Sequence, residues 1–298
     1  MKNSIIIIVS FLITNAYSQG CSDAGICSFS DSNLENKTQK NSLEFGYIFG
    51  KGLEDITYNS GFISYARKIN EKLSLALKVN YNQASGSFGT LGNFGDAFLS
   101  GNYTLNKKEK TALSVSFGVK IPFTLSNRKI NEFSVPLDYQ PSLGTFDALI
   151  GIDYTFKKWK FDAALQLPVF QRNKNSYFDE YSDSNNFPTT NLFRRKSDAL
   201  ARVTYNLTFK SLTNWTFEPN LLAIYHLGND SYEDIFGNRQ TIKNSNGLTL
   251  NANLITDYKI NTFNIVSLSL ASPLVVREIR PDGLTRSFTL SLSLKHLF

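Results

Sequence analysis

Between residues 113 and 121 the chain reads Leu113-Ser114-Val115-Ser116-Phe117-Gly118-Val119-Lys120-Ile121. Every second residue is apolar, and those between are small or charged. Successive side chains of a β-strand point to opposite faces, so this segment carries one apolar and one polar face. The period recurs on both sides of it. Leu73, Leu75, Leu77, Val79 and Tyr81 alternate with Ser74, Ala76, Lys78 and Asn80, while Phe146, Ala148, Ile150, Ile152, Tyr154 and Phe156 alternate with Asp147, Gly151, Asp153 and Thr155. The pattern predicts about twelve strands, near 42–50, 59–69, 73–82, 95–105, 111–122, 144–156, 159–170, 197–209, 215–227, 247–258, 262–274 and 284–298.

The breaks between them come in two kinds. Those at Asn70-Glu71-Lys72, Asn106 to Lys110, Lys157-Lys158, Lys210 to Asn214 and Lys259-Ile260-Asn261 are tight. Those near 51–58, 83–94, 123–143, 171–196, 228–246 and 275–283 are mostly long and rich in Asn, Ser, Gly and Asp. Short turns at one end, long loops at the other and an even strand number describe an all-β fold, a transmembrane antiparallel up-and-down β-barrel of the outer-membrane type. A closed barrel satisfies its backbone hydrogen bonds without water, as a sheet facing lipid must. A soluble β-sandwich would also alternate, but it rarely sorts its loops by length.

Composition agrees. A helical membrane protein needs roughly 20 consecutive apolar residues per span, and the longest apolar run here is Ile5–Ile13. With 42% hydrophobic residues and a mean hydropathy of −0.20, a multi-helix membrane protein is excluded. The N-terminal run follows Lys2 and precedes Ala16-Tyr17-Ser18, the basic, apolar and small-residue order of a cleaved export signal over residues 1–18. Residues 19–40 then read as a periplasmic tail and 41–298 as the barrel. In an exported chain, Cys21 and Cys27 are expected to close one small disulfide loop.

The last strand carries Phe288, Leu290, Leu292 and Leu294 on one face, continued by His296 and Phe298. An alternating final strand ending in an aromatic residue looks like the signal read by the barrel-assembly machinery. A repeat fixes the register. Asp96-Ala97 with Tyr103, Asp147-Ala148 with Tyr154, and Asp198-Ala199 with Tyr205 recur every 51 residues, and Asn251-Ala252 with Tyr258 is a degenerate fourth copy. In this register Ala and Tyr face lipid, the Tyr near the periplasmic aromatic girdle, and Asp faces the lumen.

The lumen then receives Lys78, Asp96, Lys120, Asp147, Asp198, Arg202 and His226, with Glu44, Asp153, Asp162, Glu218, Asp257 and Lys295. Asp96, Asp147 and Asp198 lie at one height near the mouth. They are either a carboxylate wall that selects cations or acids paired with neighbouring bases, and pairing is the usual fate of buried charge. Inward Phe98, Leu149, Leu200, Leu222 and Ile224 predict a partly packed interior. The longest loop carries Tyr177, Phe178, Tyr181, Phe187 and Phe193, which suits a gate or a loop folded over the mouth, with partner recognition as the rival.

Catalysis finds little support. A hydroxyl nucleophile needs an adjacent base, and neither His226 nor His296 stands two residues from a Ser on its own strand. An outer-membrane hydrolase built on His226 with Asp198 or Asp230 is the enzyme alternative. No metal cluster, phosphate loop or nucleotide motif appears, so no metal or cofactor is expected. A nucleic-acid partner would want a basic stripe interleaved with aromatics, and the basic residues here follow the turns. At the predicted periplasmic rim, eleven lysines (68, 72, 107, 108, 110, 157, 158, 160, 210, 259 and 295) stand against Glu71 and Glu109. The net charge of +6 therefore sits at one end, where it suits anionic lipid headgroups of the outer membrane.

The signal segment, the Cys21/Cys27 pair, the stretch Tyr139-Gln140-Pro141-Ser142-Leu143-Gly144-Thr145-Phe146-Asp147-Ala148 and the terminal Phe298 together resemble uncharacterised exported barrels of the phenol-degradation-pathway transporter type. That resemblance implies a porin-like protein of a Gram-negative cell envelope that passes small molecules, hydrophobic ones included, and it supplies no catalytic residues. The expectation is an outer-membrane channel or transporter with both termini periplasmic. A structural or secretion-associated barrel that binds partners through its long loops is the alternative.

Overall fold

The computed structural model describes residues 18–19, 39–52, 54–182, 186–283 and 285–298. Residues 1–17 of the expected export signal and 20–38 of the expected tail, with Cys21 and Cys27, fall outside them, while Ser18 and Gln19 pair with Arg286 and Thr285. Twelve strands make the barrel: β1 Asn41–Gly52, β2 Thr57–Lys68, β3 Leu73–Gly86, β4 Gly89–Lys107, β5 Thr111–Pro122, β6 Thr145–Phe156, β7 Trp159–Gln171, β8 Asp198–Tyr205, β9 Trp215–His226, β10 Gly247–Lys259, β11 Asn264–Val275 and β12 Thr285–Leu297. Each pairs antiparallel with the next, and β12 pairs back onto β1, so the sheet closes. The seam is tied at its end by reciprocal backbone bonds of 2.9 Å between Asn41 and Phe298.

The alternation read from the sequence is the alternation of the wall. Phe117, Val119 and Ile121 face outward and exposed, while Ser116 and Lys120 are buried inward. Ile150 and Ile152 on β6 are more than half exposed. For a soluble sheet this would be an unpaid hydrophobic surface, but for a barrel it is the band that meets lipid. Tyr103, Tyr154 and Tyr258 of the repeat face outward near the tight turns. The Trp159 ring lies 4.6 Å from that of Tyr205, and the Trp215 ring 4.7 Å from that of Tyr258, forming the aromatic girdle. Phe288, Leu292, Leu294 and Phe298 are likewise exposed on the outer face of β12.

Two loop expectations fail. The segments 51–58 and 83–94 are not long loops: β1 and β2 are separated only by residues 53–56, and β3 and β4 only by 87–88. Their polar composition marks strands that continue beyond the lipid band, where neither face needs to be apolar. β8 is also shorter than expected, stopping at Tyr205, and a single bridge from Leu207 to Phe217 carries the chain toward its turn. The connections 123–144, 172–197, 227–246 and 276–284 are the long ones, and they all gather at one mouth.

Candidate functional site at the long-loop mouth

Strand register builds a belt of polar residues across the inner wall just inside this mouth. Lys120 pairs in register with Asp147, Gln166 with Asp198, and Asp198 with His226. These residues occupy inward positions on five successive strands, β5 to β9. The Lys120 ammonium is 2.8 Å from Asp147 and 2.9 Å from the Thr145 hydroxyl, and Gln166 also donates to Asp147. Nδ1 of His226 lies 2.6 Å from Asp198, and Nε2 lies 2.8 Å from Asp230 of the 227–246 loop. Lys120, Asp147, Gln166 and His226 are all at most 1% exposed.

Beneath the belt, two to four residues further along β6 to β9, the inner wall turns apolar. Leu149, Leu200, Leu222 and Ile224 pack as one buried cluster with Ala164 against them. These are inward positions that alternation alone assigns to the lumen, and they give the predicted packed interior.

The long loops close on the belt from above. Arg195 of the 172–197 loop donates to Asp198, and its guanidinium lies 3.4 Å from Asp282 and 3.7 Å from Asp147. Arg277 and Asp282, both in the 276–284 loop, pair with each other, and Arg277 also donates to the Ser245 carbonyl at 2.6 Å. The Ser245 hydroxyl in turn receives the backbone N–H of Asp230 at 2.8 Å. Burial opposes ionisation of Asp282, but Arg277 and Arg195 outweigh it and hold this carboxyl well below the usual range. For Asp230 the balance is reversed: burial raises its pKa, with His226 pulling the other way. Nothing in the sequence marks Arg195, Arg277 and Asp282, because loop residues carry no periodicity that would fix where they point.

Asp96, Asp147 and Asp198 therefore do not form a free carboxylate wall. Asp96 accepts the Ser142 hydroxyl at 2.6 Å, Asp147 holds Lys120, and Asp198 holds His226 and Arg195. Ser142 belongs to the 123–144 loop, which dips inward: its single 3-10 turn, Leu137–Tyr139, buries Leu137 and Tyr139, and Asn82 of β3 donates to the Pro141 carbonyl at 2.7 Å. Gly144 has φ +69° and leaves room for the backbone of Leu125, so a side chain there would be both strained and crowded.

The aromatic loop behaves as a folded cover. Tyr177 and Phe187 pack with Tyr139, Tyr58 and Ile56, and Phe193 packs with Leu137, Leu143 and Ile242. Asn175, 1% exposed, clasps two loops together by donating to the carbonyls of Ser126 and Val135 at 3.0 Å each. Phe178 and Tyr181 stay outside that packing and pair with each other, ring centroids 5.9 Å apart. Lower in the lumen, the Lys78 ammonium sits 4.1 Å above the Phe62 ring, and Arg202 stands opposite Asp162 in register.

A catalytic role for His226 meets a geometric obstacle. Carboxylates stand at hydrogen-bond distance from both ring nitrogens, an arrangement satisfied when each nitrogen carries a hydrogen. Neither nitrogen is left to activate a hydroxyl. His226, Asp230 and Asp282 do offer ligand atoms within 4.8 Å of one another, the spacing of a metal site. Their atoms already face guanidinium groups and each other. His296 sits outward at the tight-turn end, stacked on Phe298 with its Nδ1 2.9 Å from Asn264.

No family model matches the chain, and no curated protein matches it. Among solved structures it is similar to an outer membrane channel from Pseudomonas putida F1, with a TM-score of 0.61 at 12% identity over 88% of this chain and 97% of the other. It also aligns with the KdgM porin, at TM-score 0.46 and 9% identity over 86% and 99% of the two chains. A third alignment is with the translocator domain of the autotransporter NalP from Neisseria meningitidis, at 0.49 and 9% over 92% and 93%. At such identities the first likeness establishes the fold, a closed outer-membrane-type barrel, and the two scores below 0.5 bear on neither topology nor function.

Proposed function

We propose that this protein is an outer-membrane channel for small polar molecules, resting with its extracellular mouth closed. The observation that carries the reading is the mouth itself: a charged inner belt to which three long loops are lashed by buried ion pairs and the fourth, 123–144, by the hydrogen bond from Ser142 to Asp96, with an interlocked aromatic cover. A purely structural barrel has no need of charge at this depth, since buried ion pairs stabilise little compared with apolar packing. The long-loop end then faces outward, and the lysine-rich turns, with Asn41 and Phe298 beside them, face the periplasm. The doubly held His226 supports a non-enzymatic role.

Purified protein in a planar bilayer tests this. Wild-type protein should show small, infrequent unitary events, and a variant in which Arg277→Ala frees the 276–284 loop should conduct more often. Silence from both, with folding confirmed by heat-dependent gel mobility, would sink the channel reading. One observation favours a second reading, recognition of a partner: Phe133, Tyr181 and Phe236 are each at least 75% exposed in the mouth loops. Aromatic residues without cover are costly in water unless something meets them.

A further inference from the structure

Arg195 comes from the longest loop, yet its side chain is 4% exposed and lies against the barrel wall. The backbone on which it rides is fixed twice: its N–H donates to Oε1 of Gln171 at 2.8 Å, and its carbonyl accepts from Nε2 of the same residue at 3.0 Å. The next residue, Lys196, donates its N–H to Asp230 at 2.8 Å. So positioned, the guanidinium reaches carboxylates from three separate pieces of the mouth: Asp147 of β6, Asp198 of β8 and Asp282 of the 276–284 loop.

The charges around it nearly balance without it. Asp147 has Lys120, Asp198 has His226, Asp282 has Arg277, and Asp230 shares His226. With His226 protonated, Lys120, His226 and Arg277 face these four acids, buried Arg280 also acts on Asp282, and Arg195 adds a further cation where Asp147, Asp198 and Asp282 converge. Burial alone would lower the pKa of Arg195, but Asp198, Asp282 and Asp147 hold it above its ordinary value. A separate feature shows that acceptor capacity remains after Arg195 is seated. Oδ1 of Asp147 and Oδ2 of Asp230 are buried with no hydrogen-bond donor among the described residues.

We propose that Asp147, Asp198 and Asp282 form a socket for a small organic cation of the guanidinium or primary-ammonium type, which Arg195 occupies as a tethered ligand while the mouth is closed. A planar donor fork facing carboxylates on several sides matches a guanidinium better than a hydrated metal ion. A free cation that takes the socket displaces the loop carrying Arg195, so the substrate class and the opening of the mouth are set at one place. The proposal deepens the channel reading and rests on it for that consequence. The binding itself does not depend on conduction.

The test uses Arg195→Ala in the full chain, refolded in detergent, with millimolar methylguanidinium chloride as the probe and equal sodium chloride as the control. Methylguanidinium is expected to raise the unfolding midpoint of Arg195→Ala by several degrees, as a ligand that binds only the folded state does. It should leave the wild type unmoved, and the double variant Arg195→Ala/Asp198→Asn should lose the shift. Equal midpoints in the two salts would overturn the socket. If Arg195→Ala refolds poorly, recovery in methylguanidinium but not in sodium chloride supports the socket, and recovery in neither overturns it. Unitary conductance on the same samples separates the two readings. A shifted midpoint with silent bilayers keeps the socket and removes the channel, whereas conducting bilayers with no shift do the reverse.

Discussion

The two ends of this barrel solve opposite problems. At the tight-turn end, lysines and glutamates stand in water, as where Lys68 reaches Glu71 at 3.2 Å with the glutamate side chain 91% exposed. At the long-loop end, Lys120 reaches Asp147 at 2.8 Å with both side chains at or below 1% exposure. The same chemistry, an ammonium on a carboxylate, can be broken at almost no cost in the first place and only at high cost in the second. Solvent makes the difference. Screening and side-chain entropy erase most of an exposed pair, while a buried charge that loses its partner has nothing to replace it.

The sharpest way to break that contrast is Lys120→Met. It strips Asp147 of its ammonium partner and leaves it buried with Gln166, the Thr145 hydroxyl and the more distant Arg195, and should remove about 3–5 kcal/mol of folding stability, measured by urea titration of the refolded barrel. A loss below about 1 kcal/mol would mean that water reaches the belt and that the two ends are alike. Leu222→Ala, in the apolar layer under the belt, should lose about 2–5 kcal/mol. The same change at Leu292, on the lipid face, should lose clearly less, because no packed interior is vacated there.

Acid provides a subtler probe. The carboxyl of Asp282 is held below its ordinary range in the folded chain. It therefore contributes stability that is fully present above its unfolded value of about 4 and fades as the pH falls below that toward the folded value. Asp230, raised by burial, works in the opposite sense and gains relief on protonation. Protease cleavage of the mouth loops should thus accelerate in acid for the wild type. Asp282→Asn should be cut faster at neutral pH and respond less to acid, and a variant that keeps the full acid response would remove Asp282 from the account. The smallest effects belong to the turn end. Trp215→Leu should lose about 0.5–1.5 kcal/mol of ring–ring contact with Tyr258, and Lys68→Ala between about 0 and 1 kcal/mol.

What could be read from the sequence follows from the same contrast. Lipid imposes period two on every strand, so all twelve strands, their inward and outward faces and the recurring Asp and Tyr positions are visible in the order of residues. The imprint stops where the lipid stops. Gln83-Ala84-Ser85-Gly86 reads as a loop and is a strand, because above the lipid band both faces are wet or loop-covered. The belt acids are legible as inward residues, and so are their strand partners Lys120 and His226, but the loop residues that join them are not. Arg195 and Asp282 meet across 87 positions of chain, and neither lies on a periodic element. The closed mouth is tertiary information, held in loops that fold against one another, as at Asn175.

The aromatic girdle also decides what light can report. The chain has two tryptophans, Trp159 and Trp215, and both lie at the tight-turn end beside Tyr205 and Tyr258. Their emission therefore follows the arrival of one rim at the membrane surface and is blind to the other. A fluorescence trace that reaches its plateau says that the lower ring has inserted, while the loops above can still be open, half-seated or locked. Watching the mouth requires a tryptophan placed there, and Phe193, buried among the cover loops, is the natural position to receive one.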